Sequence, residues 1–459
     1  MKKFARTISG VTPVAVMTLP MECPGRCIYC PTYSATPQSY TPESPAVLRA
    51  IKCDYDARRQ VELRLKILSE MGHPTDKVEL IIMGGTFLAY PVEYQYRFVK
   101  DCFDALNGTG SADLEEAQRL NETSRHRCVG LCIETRPDWC RQEEIDRMLE
   151  FGTTRVELGV QVLDDNIYQT VGRGHKVDDV VGTTALLRKH GFKVHYHIMP
   201  GLPGSTPEKD LELSVKIFSD DRFKPDGLKL YPTMVVAGTE LERWYRQGRY
   251  QPYDDDTMIN LVADIKSIVP RYVRISRVLR DIPSKYIVAG LKDSLREKVR
   301  EVMKQRQLEC SCIRCREYGH RARAGWEIGQ PYLVRKEYEA AGGREILLSF
   351  EDKGETLFGL LRLRIQPKTI AGLRQIDNTN LALIRELHVY GPEVSLGQRD
   401  ESAAQHKGLG RELLLEAERI ASREFGVPII AVLSGVGARA YYRSDFGYSL
   451  QGGYMVKKL

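Results

Sequence analysis

Three cysteines near the start of the chain have the residue type and spacing of ligands for an iron–sulfur cluster. Cys23, Cys27 and Cys30 follow a CxxxCxxC spacing directly after an apolar run that predicts a strand. Three thiolates bind three irons of a 4Fe-4S cube and leave the fourth iron open to a ligand. The alternative is a zinc knuckle or chance spacing, but a nearby fourth Cys or His is lacking. The pattern therefore favours a 4Fe-4S cluster with one open iron.

This cysteine pattern resembles the motif of the radical-SAM superfamily, whose open iron binds S-adenosylmethionine (SAM). Tyr29 stands at the aromatic position of that motif, where it would pack beside the adenine. A Gly-Gly pair follows the second predicted strand, and glycine lets backbone carbonyls approach a small ligand closely. Besides Tyr29, the resemblance implies SAM contacts from these strand-end residues: Gly84, Gly85, Thr86, Glu134 and Gln161. For Glu134 and Gln161 the alternative is a polar group whose hydrogen bonds are satisfied in the core.

A glycine-rich segment late in the chain has the features of an anion-binding site. It carries a QxxGxG pattern just before a predicted helix, 410–423. Backbone N–H groups at a helix N-terminus, together with the helix dipole, suit a pyrophosphate. The pattern resembles the acetyl-CoA loop of GNAT-type acetyltransferases, in which the preceding strand pairs with the pantetheine arm. The resemblance implies these acetyl-CoA contacts: Glu386, Leu387, His388, Val389, Gln405, Gly408, Leu409, Gly410 and Arg411.

Two adjacent tyrosines, Tyr441 and Tyr442, resemble the terminal tyrosine segment of the GNAT family. In that family a tyrosine near the thioester can protonate the leaving CoA sulfur. Both tyrosines are therefore candidate catalytic residues, and Tyr442 is also a candidate acetyl-CoA contact. The alternative for one of them is packing with its hydroxyl at the surface.

A second cysteine cluster has the spacing of a zinc site. Cys310, Cys312, Cys315 and His320 offer three thiolates and one imidazole, the ligand set of a closed tetrahedral structural site. His320 has an alternative role, because a histidine beside a basic loop could equally meet a phosphate.

The segment 271–323 is strongly basic. It holds fifteen Lys and Arg against six acidic residues, whereas the whole chain of 459 residues has a net charge of only +6. Such a local excess of positive charge is typical of a polyanion-binding surface, and we expect RNA. The candidate RNA contacts are Arg274, Arg277, Arg280, Lys285, Arg314 and Arg316. The alternative is a solvated helical face.

The elements that position these residues follow from the apolar pattern. Seven short apolar runs alternate with helical patterns and predict an α/β domain built as a partial or complete (β/α) barrel, with its chemistry at the C-terminal strand ends. The strands are expected at 14–19, 78–83, 128–134, 155–161, 193–199, 226–231 and 272–276. The helices include 46–70, 141–150, 180–190 and 208–219, and the polar stretch 108–127 is expected to be a surface insertion or mobile loop.

A second domain follows, with a mixed α+β pattern. Its predicted elements are the strands 346–350, 357–364, 381–390 and 428–433 and the helix 410–423. The predicted division is therefore a radical-SAM domain (1–290), a basic linker with the zinc loop (291–324) and a GNAT-type domain (325–459). No apolar stretch reaches the roughly 18 residues of a membrane helix, so we expect a cytoplasmic protein with no membrane partner.

The combination of a radical-SAM and a GNAT-type domain resembles the Elongator catalytic subunit family in its stand-alone archaeal or bacterial form, the tRNA uridine acetyltransferases. The resemblance implies carboxymethylation of carbon five of the wobble uridine, with release of CoA, methionine and 5′-deoxyadenosine. Lys77 matches a position that this family assigns to acetyl-CoA, although it could be a solvated lysine at the start of a strand.

The same resemblance implies the partners. We expect the anticodon stem-loop of tRNA and an external electron donor, no requirement for accessory Elongator subunits, and a state compatible with a homodimer. Two alternatives are a lysine acetyltransferase with a structural iron–sulfur domain and a tRNA-binding scaffold that senses acetyl-CoA.

Overall fold

The structure is a computed structural model, which describes residues 7–292, 294–366, 380–391 and 408–459. Within these residues, none of the helices combines the length and the apolar character that a membrane-spanning helix requires.

The first sheet contains seven parallel strands. Its members are β1 (Thr12–Met17), β2 (Lys77–Met83), β3 (Arg127–Thr135), β4 (Arg155–Gln161), β5 (Lys193–Ile198), β6 (Gly227–Leu230) and β8 (Arg274–Arg277). They are hydrogen-bonded in this order, so β1 and β8 are the two edges of a half-barrel. All seven predicted strands of the partial barrel are confirmed, and the C-terminal ends of the strands share one edge of the sheet.

Helices pack against this sheet and around its ends. They are α1 (Pro45–Lys52), α2 (Ala57–Glu70), α3 (Val92–Asn107), α4 (Leu114–Asn121), α5 (Gln142–Glu150), α6 (Asp165–Thr170), α7 (Val177–Lys189), α8 (Pro207–Ser219), α9 (Glu240–Arg246), α10 (Asp255–Ser267) and α11 (Leu295–Gln305). A small antiparallel pair joins β7 (Val235–Val236) to β9 (Ile287–Ala289).

Two predictions about these helices were wrong. The stretch 46–70 is not one helix, because Asp54 and Tyr55 adopt positive φ angles of 53° and 57° and break it into α1 and α2. Of the two alternatives for 108–127, the mobile loop is wrong, because the stretch contains α4, whose N-terminus is capped by the Asp113 side chain accepting from the Glu116 N–H.

The basic stretch 291–324 is folded onto the first domain. It contains α11, α12 (Ile313–Arg316) and α13 (Tyr318–Arg323). Leu295, Val299 and Ile313 are buried in the same apolar core as the half-barrel. This segment is therefore continuous with the first domain in packing, and the domain boundaries stay a prediction.

The second sheet is mixed, as predicted. Its strands are β10 (Tyr332–Ala340), β11 (Gly343–Glu351), β12 (Leu357–Gln366), β13 (Leu381–Val389), β14 (Ile429–Val432), β15 (Ser449–Gln451) and β16 (Tyr454–Lys458). The order is β10-β11-β12-β13-β14-β16-β15, and only β13 and β14 are parallel neighbours. The helices α14 (Leu409–Arg419) and α15 (Arg439–Phe446) complete the domain.

The two domains meet at the N-terminal ends of the half-barrel strands. Lys193, at the start of β5, is 3.3 Å from Glu386 on β13, and Asp226, before β6, is bound by Arg385. Apolar residues of both sheets belong to one continuous core. The second domain therefore lies at the opposite end of the parallel sheet from the cysteine loop.

Candidate functional site

The cysteine loop lies at the C-terminal edge of the half-barrel. Cys23, Cys27 and Cys30 are free and half-buried. Burial raises the pKa of the Cys30 thiol to about 11. The Arg173 guanidinium donates to Cys27 Sγ at 3.4 Å, so one cysteine already has a charged hydrogen-bond donor. Three soft sulfur ligands suit an iron–sulfur cluster.

Buried polar atoms around this loop fit a polar ligand. The Tyr29 hydroxyl, Gln161 Oε1 and Arg136 Nη1 have no hydrogen-bond partner among the described residues. Gln161, at the end of β4, has a φ of 70°, an uncommon value for a residue with a side chain. Backbone strain of this kind often occurs at functional sites. These residues could therefore hold SAM above the strand ends, although the Tyr29 ring packs in an apolar cluster with Val162 and Met199.

The glycine pair after β2 is required by the local geometry. Gly84 and Gly85 have φ angles of 137° and 95°, which side-chain-bearing residues rarely adopt. A Cβ on Gly84 would lie 1.8 Å from Thr18 Oγ1. Thr86 Oγ1 lies 3.8 Å from Cys23 Sγ, which brings the glycine turn next to the cysteine loop.

Around Glu134, the inner face of the sheet carries further charged residues that the sequence did not single out. Glu134 accepts from Lys229 Nζ at 3.0 Å, and Lys229 also forms an ion pair with Glu157. Arg155 on β4 forms ion pairs with Glu79 and Glu157. The signal in the sequence was the alternation of charged and apolar residues within strands that are otherwise buried.

The acetyl-CoA contacts predicted on β13 lie where β13 separates from its parallel neighbour β14. β13 pairs with β14 only from Ala382 to Ile384, and the register with β12 shifts beside Arg385. Among the described residues, 386–389 thus extend beyond the end of the parallel pairing. This separation of β13 from β14, called the splay below, exposes backbone groups with which a strand-like pantetheine arm could pair.

The predicted anion-binding site adjoins this splay. Gly408 has a φ of 77° and precedes α14, and Leu409 is buried in the core below it. A Cβ on Gly410 would lie 3.5 Å from Val389 Cγ2 and 3.6 Å from the Tyr441 hydroxyl. The helix start, the donor strand and a tyrosine therefore converge. Arg411 is exposed beside them, and Gln405 lies outside the described residues.

The two tyrosines differ in environment. Tyr441 is 37% exposed, whereas Tyr442 is 5% exposed and belongs to the core of the second domain. Burial raises the pKa of Tyr441 to about 12 and raises that of Tyr442 as well. A phenol with a pKa this high stays protonated at neutral pH.

Three residues at the domain junction have partners that bear on their roles. Glu386 is held by Arg362 Nε at 2.8 Å and by Lys193. Burial alone would raise the pKa of Glu386, but Lys193 and Arg362 hold it well below its usual range. His388 Nε2 lies 2.6 Å from the Ser9 carbonyl oxygen, and Lys77 stands at the start of β2, at the same end of the sheet as Lys193.

Three of the four predicted zinc ligands lie close together. The sulfur atoms of Cys310, Cys312 and Cys315 all lie within 4.8 Å of one another, which fits a soft metal ion such as zinc. His320 is not in this group. Its Nε2 lies 3.5 Å from Glu317 Oε2 instead.

The candidate RNA contacts differ in how far their side chains are exposed to solvent. Arg277 and Lys285 are 45% and 58% exposed at their side chains. Arg274 is paired with the buried Glu317, and Arg280 donates to the Ser39 carbonyl at 2.6 Å. Arg314 is partly buried, and burial together with Arg274 and Arg296 lowers its pKa to about 10.

Arg316 is different, because its side chain is 1% exposed. It donates to the carbonyls of Ser311 and Arg271. Arg316 therefore belongs to the interior of the junction in this structure, and the RNA-binding prediction is kept for the exposed residues.

Comparisons with known proteins agree with this arrangement. The model of the "Radical SAM superfamily" matches residues 19–214, and that of the "Radical_SAM C-terminal domain" matches residues 225–305. The chain is 65% identical over 459 residues to a tRNA uridine(34) acetyltransferase of Dehalococcoides mccartyi (strain CBDB1), with 100% of both chains covered. It is 42% identical over 478 residues to Elongator complex protein 3 of Homo sapiens, covering 100% of this chain and 86% of the relative.

A solved structure is similar over nearly the whole fold. The archaeal Methanocaldococcus infernus Elp3 with N-terminus deletion (1-46) has a TM-score of 0.87 and 46% sequence identity. The match covers 99% of this chain and 100% of that chain.

Proposed function

This chain belongs to the family of the tRNA uridine(34) acetyltransferases and Elongator complex protein 3, which are radical-SAM enzymes, and on this premise we propose that it carboxymethylates carbon five of the wobble uridine of tRNA. The observation that best supports this reaction is the presence of two sites in one chain. One is the cysteine loop with the predicted SAM contacts, and the other is the predicted acetyl-CoA site beside β13, α14 and Tyr441.

When bound, a 4Fe-4S cluster with SAM would supply, on one-electron reduction by an external donor, methionine and a 5′-deoxyadenosyl radical. A hydrogen atom would move from the acetyl methyl group to this radical, and the resulting carbon radical would add to carbon five. An electron carrier of the iron–sulfur class would take up one electron, and loss of the carbon-five proton would restore the pyrimidine. Water would cleave the thioester to give CoA and the carboxymethyl group.

The chain's own residues bind and orient the reactants in this proposal. Gly84 and Gly85 admit SAM to the backbone, and Arg173 donates to Cys27 Sγ. Tyr441 protonates the CoA sulfur as it leaves in this proposal, and the position of its hydroxyl beside Gly410, at the start of α14, supports that role. Lys77 keeps its predicted role as an acetyl-CoA contact in this proposal, and Cys310, Cys312 and Cys315 keep theirs as zinc ligands. His320 lies outside the cysteine group and the Tyr442 ring is buried, so neither has a role in it.

The ion pairs of Glu386 weigh against the alternative of a lysine acetyltransferase. Such an enzyme needs a general base to deprotonate the attacking amine. Glu386 is the carboxylate on the predicted donor strand, but Arg362 and Lys193 hold it ionised in a buried ion-pair network. A carboxylate with a strongly lowered pKa is a poor proton acceptor at neutral pH.

The test is nucleoside mass spectrometry of tRNA after incubation with cluster-reconstituted protein, SAM, reductant and acetyl-CoA. We expect 5-carboxymethyluridine from the wild type and none from Cys27→Ala, which lacks one cluster ligand. The proposal fails if the wild type yields no modified uridine while an RNA-free control consumes acetyl-CoA equally well. Protein acetylation that survives in Cys27→Ala would support the lysine acetyltransferase instead.

A further inference from the structure

A cluster of charged residues lies on the inner face of the half-barrel, directly below the predicted SAM contacts. One ligand atom from each of Glu134, Glu157 and His197 lies within 4.8 Å of the others. Two carboxylates and an imidazole would suit a divalent cation. Here the positive charge comes from Lys229, which is 3.0 Å from Glu134 Oε1 and also paired with Glu157.

The ammonium group of Lys229 keeps the Glu157 carboxylate ionised. Burial alone would raise the pKa of Glu157, but Lys229, His197 and Arg155 hold it well below its usual range. Burial would lower the pKa of Lys229, yet Glu134 and Glu157 raise it well above the ordinary value. Two carboxylates this close share a proton when no cation lies between them.

Glu134 also borders the space beside the cysteine loop. Its Oε2 accepts from the Tyr40 hydroxyl at 3.0 Å, and Tyr40 follows Cys30 by ten residues. Gln38 lies two residues before Tyr40, and its carbonyl oxygen is 3.7 Å from where a Cβ on Gly85 would lie. Each Glu134 oxygen has a second lone pair, so the carboxylate can still accept a hydrogen bond from a ligand.

We propose that Lys229 is a positioning residue whose ion pair fixes the Glu134 carboxylate in place, so that Glu134 accepts a hydrogen bond from an ammonium or hydroxyl group of SAM. The proposal rests on the proposed function only in taking SAM as the ligand. The charged and titratable groups that face Glu134 are Lys229 on β6, Glu157 on β4, His197 on β5, Arg277 on β8, and the hydroxyls of Tyr40 and Tyr231.

The test measures SAM binding by titration calorimetry with the cluster-reconstituted full chain between pH 6.5 and 8.5. Lys229→Met should weaken SAM binding about tenfold or more at pH 7.5, as expected for loss of a charge-assisted hydrogen bond. The loss should deepen as the pH falls, because the two carboxylates then share a proton. The wild type should show a flat profile, and Lys229→Arg should recover most of the affinity.

Lys209→Met is the matched control, since Lys209 also forms an ion pair in this domain, with Asp164 at 2.8 Å. It should bind SAM like the wild type. Lys229→Met with wild-type affinity and a flat pH profile would overturn the proposal, and so would equal weakening by Lys209→Met.

A second variant keeps the test decisive if Lys229→Met does not fold. Glu134→Gln keeps the shape of the side chain and should also weaken SAM binding about tenfold. Because the amide does not titrate, the SAM affinity of this variant should not change with pH. Wild-type SAM affinity in Glu134→Gln would refute the proposal. None of these measurements uses tRNA or acetyl-CoA, so a failure to modify uridine would leave their result intact.

Discussion

Among single residues, the two adjacent tyrosines show how burial separates candidates that the sequence leaves equal. The Tyr441 hydroxyl lies beside Gly410 at the mouth of the splay, whereas the Tyr442 ring is edge-on to Tyr441 and Tyr448 in the core. The leaving sulfur would be within reach of the first hydroxyl, which makes Tyr441 the better candidate for the acid.

Phenylalanine substitutions should distinguish the roles of Tyr441 and Tyr442. Tyr441→Phe should lower tRNA-dependent CoA release by roughly a hundredfold, because a positioned general acid contributes about 10²–10⁴. Tyr442→Phe should release CoA at close to the wild-type rate and lose at most about 1 kcal/mol of unfolding free energy. A thiol-reactive dye reports the CoA, and the opposite ranking of the two variants would reject this assignment.

Some site residues could be read from the sequence and others could not. The cysteine and glycine motifs are local, so spacing alone placed them. Lys229 and Glu157 lie on different strands, and their partnership exists only after the sheet has formed. The positive φ of Gln161 has no signature in residue type, because such strain is set by the surrounding structure.

At the scale of elements, β13 serves both domains at once. Its backbone edge at 386–389 forms the predicted pantetheine site, while Arg385, at the register shift beside β12, points into a buried ion-pair network. In this network Arg385 and Arg188 bind Asp226 and Glu345, and Arg362 joins from β12. The network thereby fixes the donor strand against the half-barrel.

Removing the central carboxylate should loosen this junction. Asp226→Asn should cost about 3–5 kcal/mol of unfolding free energy, because it leaves three buried guanidinium groups short of a counter-charge. Urea denaturation measures this cost. Asp164→Asn is the control, since its ion pair with Lys209 is partly exposed and Asn still caps α6, and it should cost less than about 1 kcal/mol.

The lowered pKa of Asp226 predicts that acid destabilises the fold. Burial alone would raise the pKa of Asp226, but Arg188, Arg385 and Arg362 hold it well below its usual range. A lowered folded-state pKa stabilises the fold above the unfolded value of about 3.9, and this stability is lost as the pH falls further. The wild type should therefore lose stability below about pH 4 more steeply than Asp226→Asn.

The elements differ in how well the sequence predicted them. The seven parallel strands are buried on their outer face and read as apolar runs, so their positions were predicted correctly. The strand β10 was missed, because it is an exposed edge strand with the charged sequence VRKE at its centre. The helix α4 was missed, because its polar composition concealed the cap at Asp113.

At the scale of the whole molecule, the exposed part of the basic segment predicts how tRNA binds. Neutralising phosphates with exposed Lys or Arg makes affinity fall with salt, with a slope that reports the number of contacts. Arg277 and Lys285 meet this condition of exposure.

Substituting both residues should therefore change the salt dependence. Arg277→Gln with Lys285→Gln should reduce the slope of log K against log salt by about 1 to 2 in filter-binding or anisotropy titrations. Arg58→Gln, at an exposed ion pair on α2, should leave the slope unchanged. An unchanged slope in the double variant would remove these two residues from the RNA surface.

The buried network between the domains has a consequence for synthesis on the ribosome. Arg385 follows Asp226 by 159 residues. At about 5–20 residues per second, the nascent half-barrel waits roughly 8–30 s for this partner. Until then Asp226 has Arg188 beside it but neither Arg362 nor Arg385, and the lower end of the sheet faces water. The radical-SAM half of the protein thus lacks part of its ion-pair network until the second domain has been made, so we expect premature termination products to be substrates for proteolysis.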